Sequence, residues 1–298
     1  MRLISYTNKG EAGVGVMVDD QGFVALPKAA PDLPKSLKAL LAQGDGLDRA
    51  RAAAKGKKAD LKLGDVTLLP VIPDPQAIWC LALNYKEHIQ ETGLTTNPDF
   101  PHIFLRVPCS QVGHDQPIVK HSHTNAYDYE GELAVIIGKK ARHVAEKDAL
   151  KYVAGYSCYN EGSVREYQRH NRNFGIGKNF EASGSFGPWL MTTDELPDPN
   201  KSRIITRLNG DEKQNTVAGE MIFSIPNLIH YISTGHTLFP GDVIVCGTPG
   251  AIPGKKAHMN VGDVCEIEVT GLGVLRNKVV AEAPPAPAYA RQAEHAAE

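Results

Sequence analysis

The segment NAYDYEGELAVIIG, residues 125–138, joins a row of acidic side chains to an apolar strand. Its last residues form a short apolar run that ends at a glycine, which is typical of a strand in a protein core. Asp128, Glu130 and Glu132 occupy every second position. Side chains two apart on a strand point to the same side, so we expect these carboxylates to lie in a row. Such a row is costly beside apolar residues unless positive charge compensates it.

Two interpretations fit this row of acids, a solvated strand end and a metal site. Two downstream segments favour the metal site. In GYSCYNEG, Asn160 and Glu161 come at the end of another predicted strand, and in GIGKNF, Lys178 lies in a turn flanked by glycines. Carboxylates from separate strand ends suit a hard divalent cation such as Mg²⁺, which takes oxygen ligands and keeps several waters.

Short apolar strands separated by glycine and proline extend on both sides of this segment. The clearest are AIWCLAL, GPWLM, RIITRLNG, DVIVCGTPG and VCEIEVTGLGVLRNKVV. Helical patterns are fewer, the longest being SIPNLIHYISTG. Strands therefore dominate without a regular βαβ alternation, which predicts a β-rich α+β fold.

The chain is expected to divide into three parts. Residues 1–70 predict a small N-terminal α/β domain, with strands in RLISYT, GVGVMVDD and GFVAL and helices in SLKALLAQ and LDRARAAAK. Within it, GKKADLKLGD is polar and is interpreted as a linker. Residues 71–281 form the main domain. Residues 282–298 are rich in proline and alanine and predict a flexible C-terminal tail.

Composition indicates a soluble globular protein and excludes several partners. Hydrophobic residues make up 42% of the 298 residues and charged residues 22%. The net charge is −2 with no block of like charges, so neither nucleic acid nor an acidic membrane is an expected partner. The five cysteines form no C-x-x-C pair, which argues against a disulfide framework or zinc site. Without a signal peptide or apolar span, a cytoplasmic location is predicted.

The segment LNYKEHIQETG, residues 83–93, places His88 and Glu91 three residues apart. On a helical turn these two side chains share a face and can form a hydrogen bond. A carboxylate that orients an imidazole raises its basicity, as in a general base acting on water. An ordinary amphipathic turn with a surface histidine fits the same spacing.

The segment LFPGDVIVCGTPG, residues 238–250, contains a strand followed by a glycine-rich turn. The turn can offer backbone N–H groups and the Thr248 hydroxyl to an anion such as a carboxylate. It fits a plain hairpin equally well. The chain has no P-loop, no G-x-S-x-G nucleophile motif and no G-x-G-x-x-G dinucleotide fingerprint.

Eight segments in series resemble the fumarylacetoacetate hydrolase family over most of the chain from about residue 73 to 281. They are LNYKEHIQETG, FLRVPCSQVGHDQPI, YDYEGELAVIIGKKAR, VAGYSCYNEGSVREYQ, GKNFEASGSFGPWL, MIFSIPNLIHYIS, GHTLFPGDVIVCGTPG and NVGDVCEIEVTGLGVLRN. This resemblance implies a catalytic domain built as a mixed β-roll behind a small N-terminal domain. It also implies a homodimer.

The resemblance assigns the metal ligands. Glu130 and Glu132 match the family's E-x-E, two of three carboxylate ligands to Mg²⁺ or Mn²⁺, and Asp128 then supports them. The third ligand falls on Glu161, where most hydrolases of the family carry aspartate. Related decarboxylases and hydratases carry glutamate there, so this position weakens the assignment as a hydrolase.

The resemblance also implies how the site works. His88 and Glu91 lie on a segment that closes over the substrate, and His88 takes a proton from water while Glu91 orients it. Lys178 adds positive charge beside the developing enolate. Four further residues are expected to contact substrate: Arg106, which stands where lysine is common, Arg165, Gln168 and Thr248.

The expected activity is hydrolysis of a C–C bond in an acylpyruvate- or fumarylpyruvate-like 1,3-diketo or 2-oxo acid. The alternative is a decarboxylase, isomerase or hydratase of an oxaloacetate- or 2-hydroxymuconate-type acid in aromatic catabolism. A non-catalytic relative that only binds a partner is a third possibility. It is disfavoured because the chain keeps both the His–Glu pair and the acidic residues.

Overall fold

The computed structural model describes residues 1–170 and 173–283. Its helices are α1 Leu26–Ala29, α2 Leu37–Ala42, α3 Gly46–Ala54, α4 Lys86–Glu91, α5 Arg165–Gln168 and α6 Ile225–Gly235. Single 3₁₀ turns or short 3₁₀ helices lie at Leu63–Asp65, Pro108–Ser110, Glu146–Tyr152, Ile176–Lys178, Pro199–Lys201 and Ala218–Glu220. No helix in these ranges combines the length and the apolar character needed to cross a membrane.

Strands form most of the regular structure. Before the acidic segment they are β1 Arg2–Asn8, β2 Glu11–Met17, β3 Gly22–Ala25, β4 Leu61–Lys62, β5 Thr67–Leu68, β6 Ile78–Ala82, β7 His102–Arg106, β8 Gln111–Val112 and β9 Ile118–Lys120. From that segment onward they are β10 Tyr127–Asp128, β11 Gly131–Ile137, β12 Val153–Asn160, β13 Ser163–Val164, β14 Gly184–Thr192, β15 Arg203–Leu208, β16 Asp211–Val217, β17 Val243–Val245, β18 Val264–Val269 and β19 Gly273–Ala281. The predicted β-rich α+β class is confirmed.

Among the described residues the main sheet has 12 strands, in the order β4-β3-β2-β1-β14-β12-β11-β17-β6-β7, with β5 added beside β1 and β8 beside β14. A second sheet has the order β16-β15-β18-β19-β9, and β10 pairs with β13. Strand β11 is buried at all seven positions. This explains the unbroken apolar run at residues 133–137, since a strand covered on both faces needs no polar alternation.

The two faces of β11 enter two different cores. Leu133, Val135 and Ile137 belong to the core formed with the second sheet and α6. Ala134 and Ile136 belong to the core formed with the N-terminal segment. This division follows from the alternation of side chains along a strand.

The N-terminal segment shares the main sheet. Strand β1 pairs antiparallel with β14, with Leu3 opposite Leu190. Helices α2 and α3 cover the second core, and Ser36 caps the start of α2, where its hydroxyl accepts a hydrogen bond from Ala39 N. The segment thus has helices and strands as expected, but its sheet continues into the main one. The domain boundary at residue 70 stays a prediction.

Two local contacts lie where the sequence predicts a linker and the start of a tail. The polar stretch interpreted as a linker contains β4, which pairs with β3 through Lys62 and Gly22. At the start of the predicted tail, Glu282 accepts hydrogen bonds from Ser122 and pairs with His121 at 2.9 Å. The sequence did not reveal either contact, because each joins residues that lie far apart in the chain. Residues 284–298 of the predicted tail lie outside the described residues.

Candidate metal centre and active site

Three buried carboxylates meet at one end of strands β11 and β12. Glu130 immediately precedes β11, Glu132 is its second residue, and Glu161 immediately follows β12. The strands are antiparallel neighbours with Gly131 opposite Asn160, which brings these ends together. One oxygen from each of the three carboxylates lies within 4.8 Å of the other two.

The sequence suggested that the three acids of the acidic row lie on one regular strand, but the structure interrupts the strand between them. Strand β10 ends at Asp128 and β11 begins at Gly131. In the interruption, Glu130 N donates to Asn160 Oδ1 at 3.1 Å, and Glu161 N donates to the Glu130 carbonyl at 2.9 Å. These bonds fix Glu130 beside Glu161, a cross-strand arrangement that residue spacing alone does not reveal.

The carboxylates are incompletely satisfied. Within residues 1–170 and 173–283, Glu132 Oε1 and Glu161 Oε1 are buried without a hydrogen-bond partner. Glu132 Oε2 accepts from Gly247 N at 2.5 Å. Burial, together with the charges of Glu161 and Glu130, raises the pKa of Glu132 well above its ordinary value. Unpartnered carboxylate oxygens from separate strand ends fit a divalent cation bound by oxygen ligands.

Two cations contact the acids directly. Arg165 lies 2.8 Å from Asp128 and 2.7 Å from Glu130. Lys178 Nζ lies 2.9 Å from Glu161 Oε2 and also contacts Glu130. Burial opposes ionisation of Glu130, but Lys178 and Arg165 outweigh it and hold its pKa below the ordinary value. When Glu132 is ionised as well, the four carboxylates carry two more charges than Arg165 and Lys178 compensate. A divalent ion would balance these two charges.

Helix α4 carries the His–Glu pair. His88 Nδ1 lies 3.2 Å from Glu91 Oε2, and the other carboxylate oxygen accepts from Ala251 N at 2.7 Å. Burial opposes ionisation of Glu91, but the bonds from His88 and Ala251 N hold its pKa below the ordinary value. An ionised carboxylate only accepts, so Nδ1 of His88 carries the proton, and in the neutral imidazole Nε2 then presents a lone pair.

His88 and the carboxylates share a small cavity. Its volume is about 20 Å³, and its polar lining is His88, Glu130, Glu132, Glu161, Lys178, Gln168 and Thr248. A cavity of this size holds about one water or ion. An adjoining open cleft of about 610 Å³ shares Phe104 and Phe174 with it.

The four predicted substrate contacts separate into two groups. Gln168 and Thr248 line the cavity, and Arg165 lines a neighbouring one. Their role as substrate contacts stays a prediction, and the guanidinium of Arg165 is occupied by Asp128 and Glu130. Arg106 lines neither of these two cavities.

Arg106 is 3% exposed and donates to protein groups behind the cavity. Its acceptors are Ser110 Oγ at 3.2 Å, Gly162 O at 3.1 Å and Ser183 Oγ at 3.0 Å. This geometry argues against the predicted substrate contact. It indicates that Arg106 supports the segment that follows Glu161.

Arg106→Met is expected to lower the free energy of unfolding by about 3 kcal/mol, because buried hydrogen bonds from a charged donor are lost and their acceptors stay buried. Urea denaturation measures this loss. Arg276→Met is a matched control, since Arg276 is half exposed. Wild-type stability of Arg106→Met together with a raised KM would instead support the substrate contact.

Sequence reasoning missed two buried amides. Gln214 Nε2 donates to Thr248 Oγ1 at 2.9 Å, and its Oε1 accepts from Gly131 N at 3.0 Å. Asn84 is fully buried and donates to Cys246 O at 2.7 Å, just before α4. Both hold the cavity walls together. Gln214 lies in the polar strand DEKQNTV, where no local pattern distinguishes the buried amide from its less buried neighbours.

The chain matches the family model for the C-terminal domain of fumarylacetoacetate (FAA) hydrolase over residues 77–280. It is 35% identical over 288 residues to oxaloacetate tautomerase YisK of Bacillus subtilis, covering 89% of this chain and 95% of that protein. It is 31% identical to the solved fumarylacetoacetate hydrolase of Exiguobacterium antarcticum, with TM-score 0.78 and coverage of 95% and 100%.

A third similarity is to maleylpyruvate hydrolase of Sphingobium sp. SYK-6, solved with manganese(II) and pyruvate. The identity is 26% and the TM-score 0.79, covering 95% of this chain and 100% of that one. These relatives include both hydrolases and a tautomerase.

Proposed function

The chain belongs to the fumarylacetoacetate hydrolase family, and on that basis we propose that it is a divalent-metal-dependent tautomerase. The reaction is the interconversion of keto and enol forms of an oxaloacetate-type 2-oxo acid. The relative named oxaloacetate tautomerase, similar over nearly its whole length, supports this order of preference. Hydrolysis, which the sequence favoured, becomes the second candidate.

The observation that carries the proposal is the buried group of Glu130, Glu132 and Glu161 with two unpartnered oxygens beside the Lys178 ammonium. These residues would hold Mg²⁺ or Mn²⁺, and the manganese named for a structural relative supports that choice. A bound ion of this kind supplies Lewis-acid polarisation of the substrate carbonyl.

The side chains of the cavity supply the proton transfers. His88 Nε2 takes a proton from C3 of the 2-oxo acid and returns it to the oxygen on C2, which completes the tautomerisation. Glu91 keeps the imidazole in the tautomer that this transfer needs. The pKa of Lys178 is raised, because Glu130 and Glu161 outweigh the effect of burial. Lys178 therefore stays protonated and places positive charge beside the developing enolate oxygen.

Hydrolysis of a C–C bond is the second candidate, and the His88–Glu91 pair favours it. The same Nε2 lone pair can take a proton from water, so that hydroxide attacks a carbonyl of a 1,3-diketo acid. The C–C bond then breaks, and the leaving carbon receives a proton. Both candidates pass through an enolate, so the site chemistry by itself supports either.

The test is a substrate screen of metal-stripped protein with and without Mg²⁺ or Mn²⁺. Acceleration of the enol–keto exchange of oxaloacetate, without a change of mass, supports the tautomerase. Release of two acids from fumarylpyruvate or an acylpyruvate moves the assignment to a hydrolase. Release of carbon dioxide indicates a decarboxylase. Failure of every substrate with both metals contradicts the proposal.

Removal of the metal is expected to stop turnover and to lower the thermal midpoint. Metal at about 100 times Kd should stabilise the fold by about 2.7 kcal/mol, because an ion that binds only the folded state shifts the unfolding equilibrium by mass action. Thermal unfolding with chelator, and then with added Mn²⁺, measures the difference. Equal ionic strength supplied as KCl is the control. Full activity in excess chelator would contradict a metal requirement.

A further inference from the structure

The basic side chains around the catalytic cavity differ in whether they are already paired. Arg165 and Lys178 are committed to the buried carboxylates. Lys256 lines a second cavity of about 10 Å³ together with His88 and Thr248, which also border the catalytic cavity. Across the described ranges, Lys256 forms no hydrogen bond or ion pair. Its charge is therefore free to act on a bound molecule.

The segment that carries Lys256 is held by backbone contacts. Ala251 N donates to Glu91 Oε1 at 2.7 Å, and Ile252 N donates to the Lys213 carbonyl at 2.7 Å. Beyond the lysine, Met259 N donates to the Tyr127 carbonyl at 2.8 Å. The position of Lys256 beside the site is thus fixed on both sides by bonds to other parts of the fold.

A glycine lets this segment approach α4 closely. A Cβ added at Gly250 would lie 2.9 Å from the Glu87 carbonyl carbon and 3.1 Å from His88 N. A larger residue would displace the segment or the helix. The close approach keeps Lys256 on the same side of the site as the His–Glu pair.

The acids facing Lys256 are already satisfied. Asp128 is paired with Arg165, and Glu91 accepts from Ala251 N and lies against His88. The charge of Lys256 contributes to lowering the pKa of Glu91 without forming a contact pair with it. An incoming anion can therefore take Lys256 as its partner without breaking an existing ion pair.

We propose that Lys256 binds the second carboxylate of a dicarboxylic 2-oxo acid and so selects diacids over monoacids. This inference rests on the proposed function, which places the 2-oxo acid end of the substrate at Glu130, Glu132 and Glu161. From there the substrate extends between His88 and Thr248, the two residues shared by both cavities, to Lys256. Lys256 is a specificity-determining residue and takes no part in proton transfer.

The experiment compares lactate with malate on Mn²⁺-loaded protein by isothermal titration calorimetry. Both chelate a cation through a 2-hydroxy carboxylate, and malate adds a second carboxylate at the position it has in oxaloacetate. Lys256→Met is expected to weaken malate binding about tenfold or more, the loss of one charge-assisted hydrogen bond. Lactate binding should stay within about twofold, on the same scale of free energy.

Two further variants sharpen the comparison. Lys256→Arg should restore most of the malate preference, and Lys255→Met, a change at the neighbouring exposed lysine, should leave both affinities as in the wild type. Equal weakening of both ligands by Lys256→Met, or no weakening, would overturn the inference and leave the proposed function intact. Wild-type protein that binds Mn²⁺ but neither acid would overturn both.

Discussion

Glu132→Gln is expected to abolish divalent-metal binding and to lower kcat by at least about 10³-fold. The substitution removes the charge of a central carboxylate but keeps its shape and the oxygen that accepts from Gly247 N. A loss of this size corresponds to about 4 kcal/mol, within the several kcal/mol that metal polarisation of a carbonyl supplies. Calorimetric titration with Mn²⁺ and the oxaloacetate exchange assay measure the two effects.

The thermal stability of Glu132→Gln shows whether the variant has lost only a metal ligand or has a damaged fold. Metal-free Glu132→Gln should unfold at or above the wild-type midpoint, because burial and its acidic neighbours disfavour the charge of Glu132. Glu268→Gln, on the second sheet, is the matched control; its partner is Arg207. Wild-type Mn²⁺ affinity in Glu132→Gln would contradict the proposed ligand set.

Lys178→Met is expected to lower kcat by about 10²- to 10³-fold, the cost of removing one donor aimed at a developing oxyanion. It should also destabilise the metal-free protein by about 3–5 kcal/mol, since two buried carboxylates lose their shared counter-charge. Added Mn²⁺ should recover part of this loss by supplying positive charge at the same place. Single-turnover kinetics and urea denaturation measure the two effects.

Lys151→Met is the control for a general effect of losing a lysine, because Lys151 is exposed and pairs with Asp148 on the surface. A Lys178→Met variant with wild-type kcat would remove Lys178 from the mechanism. If its stability fell while kcat was unchanged, its role would be confined to the fold.

Sequence could predict those side chains whose relative positions follow from a strand end or from helical spacing. The apolar run after Glu132 marks a central strand, and the acids at its start must lie at one end of it. The three-residue spacing of His88 and Glu91 fixes their contact once the segment is helical. Lys178 came from the family resemblance and from its glycine-flanked turn.

The parts that sequence could not predict depend on burial and on partners far along the chain. Arg106 looks like any other arginine in the sequence, yet two of its three acceptors, Gly162 O and Ser183 Oγ, lie far along the chain. Lys62 lies in a polar stretch that pairs with β3 through its backbone, to which side-chain polarity is a poor guide. Lys256 stood in a loop whose path depends on Gly250 and Glu91.

The catalytic cavity of about 20 Å³ has a kinetic consequence. A four-carbon diacid exceeds this volume, so binding draws on a wider, less populated conformation, for example one in which α4 lies farther from the segment at Ala251. If that conformation is about one-tenth of the molecules, the observed affinity is tenfold weaker than the intrinsic one. Association should then be slow for the size of the ligand, and breaking the Glu91–Ala251 hydrogen bond should speed it.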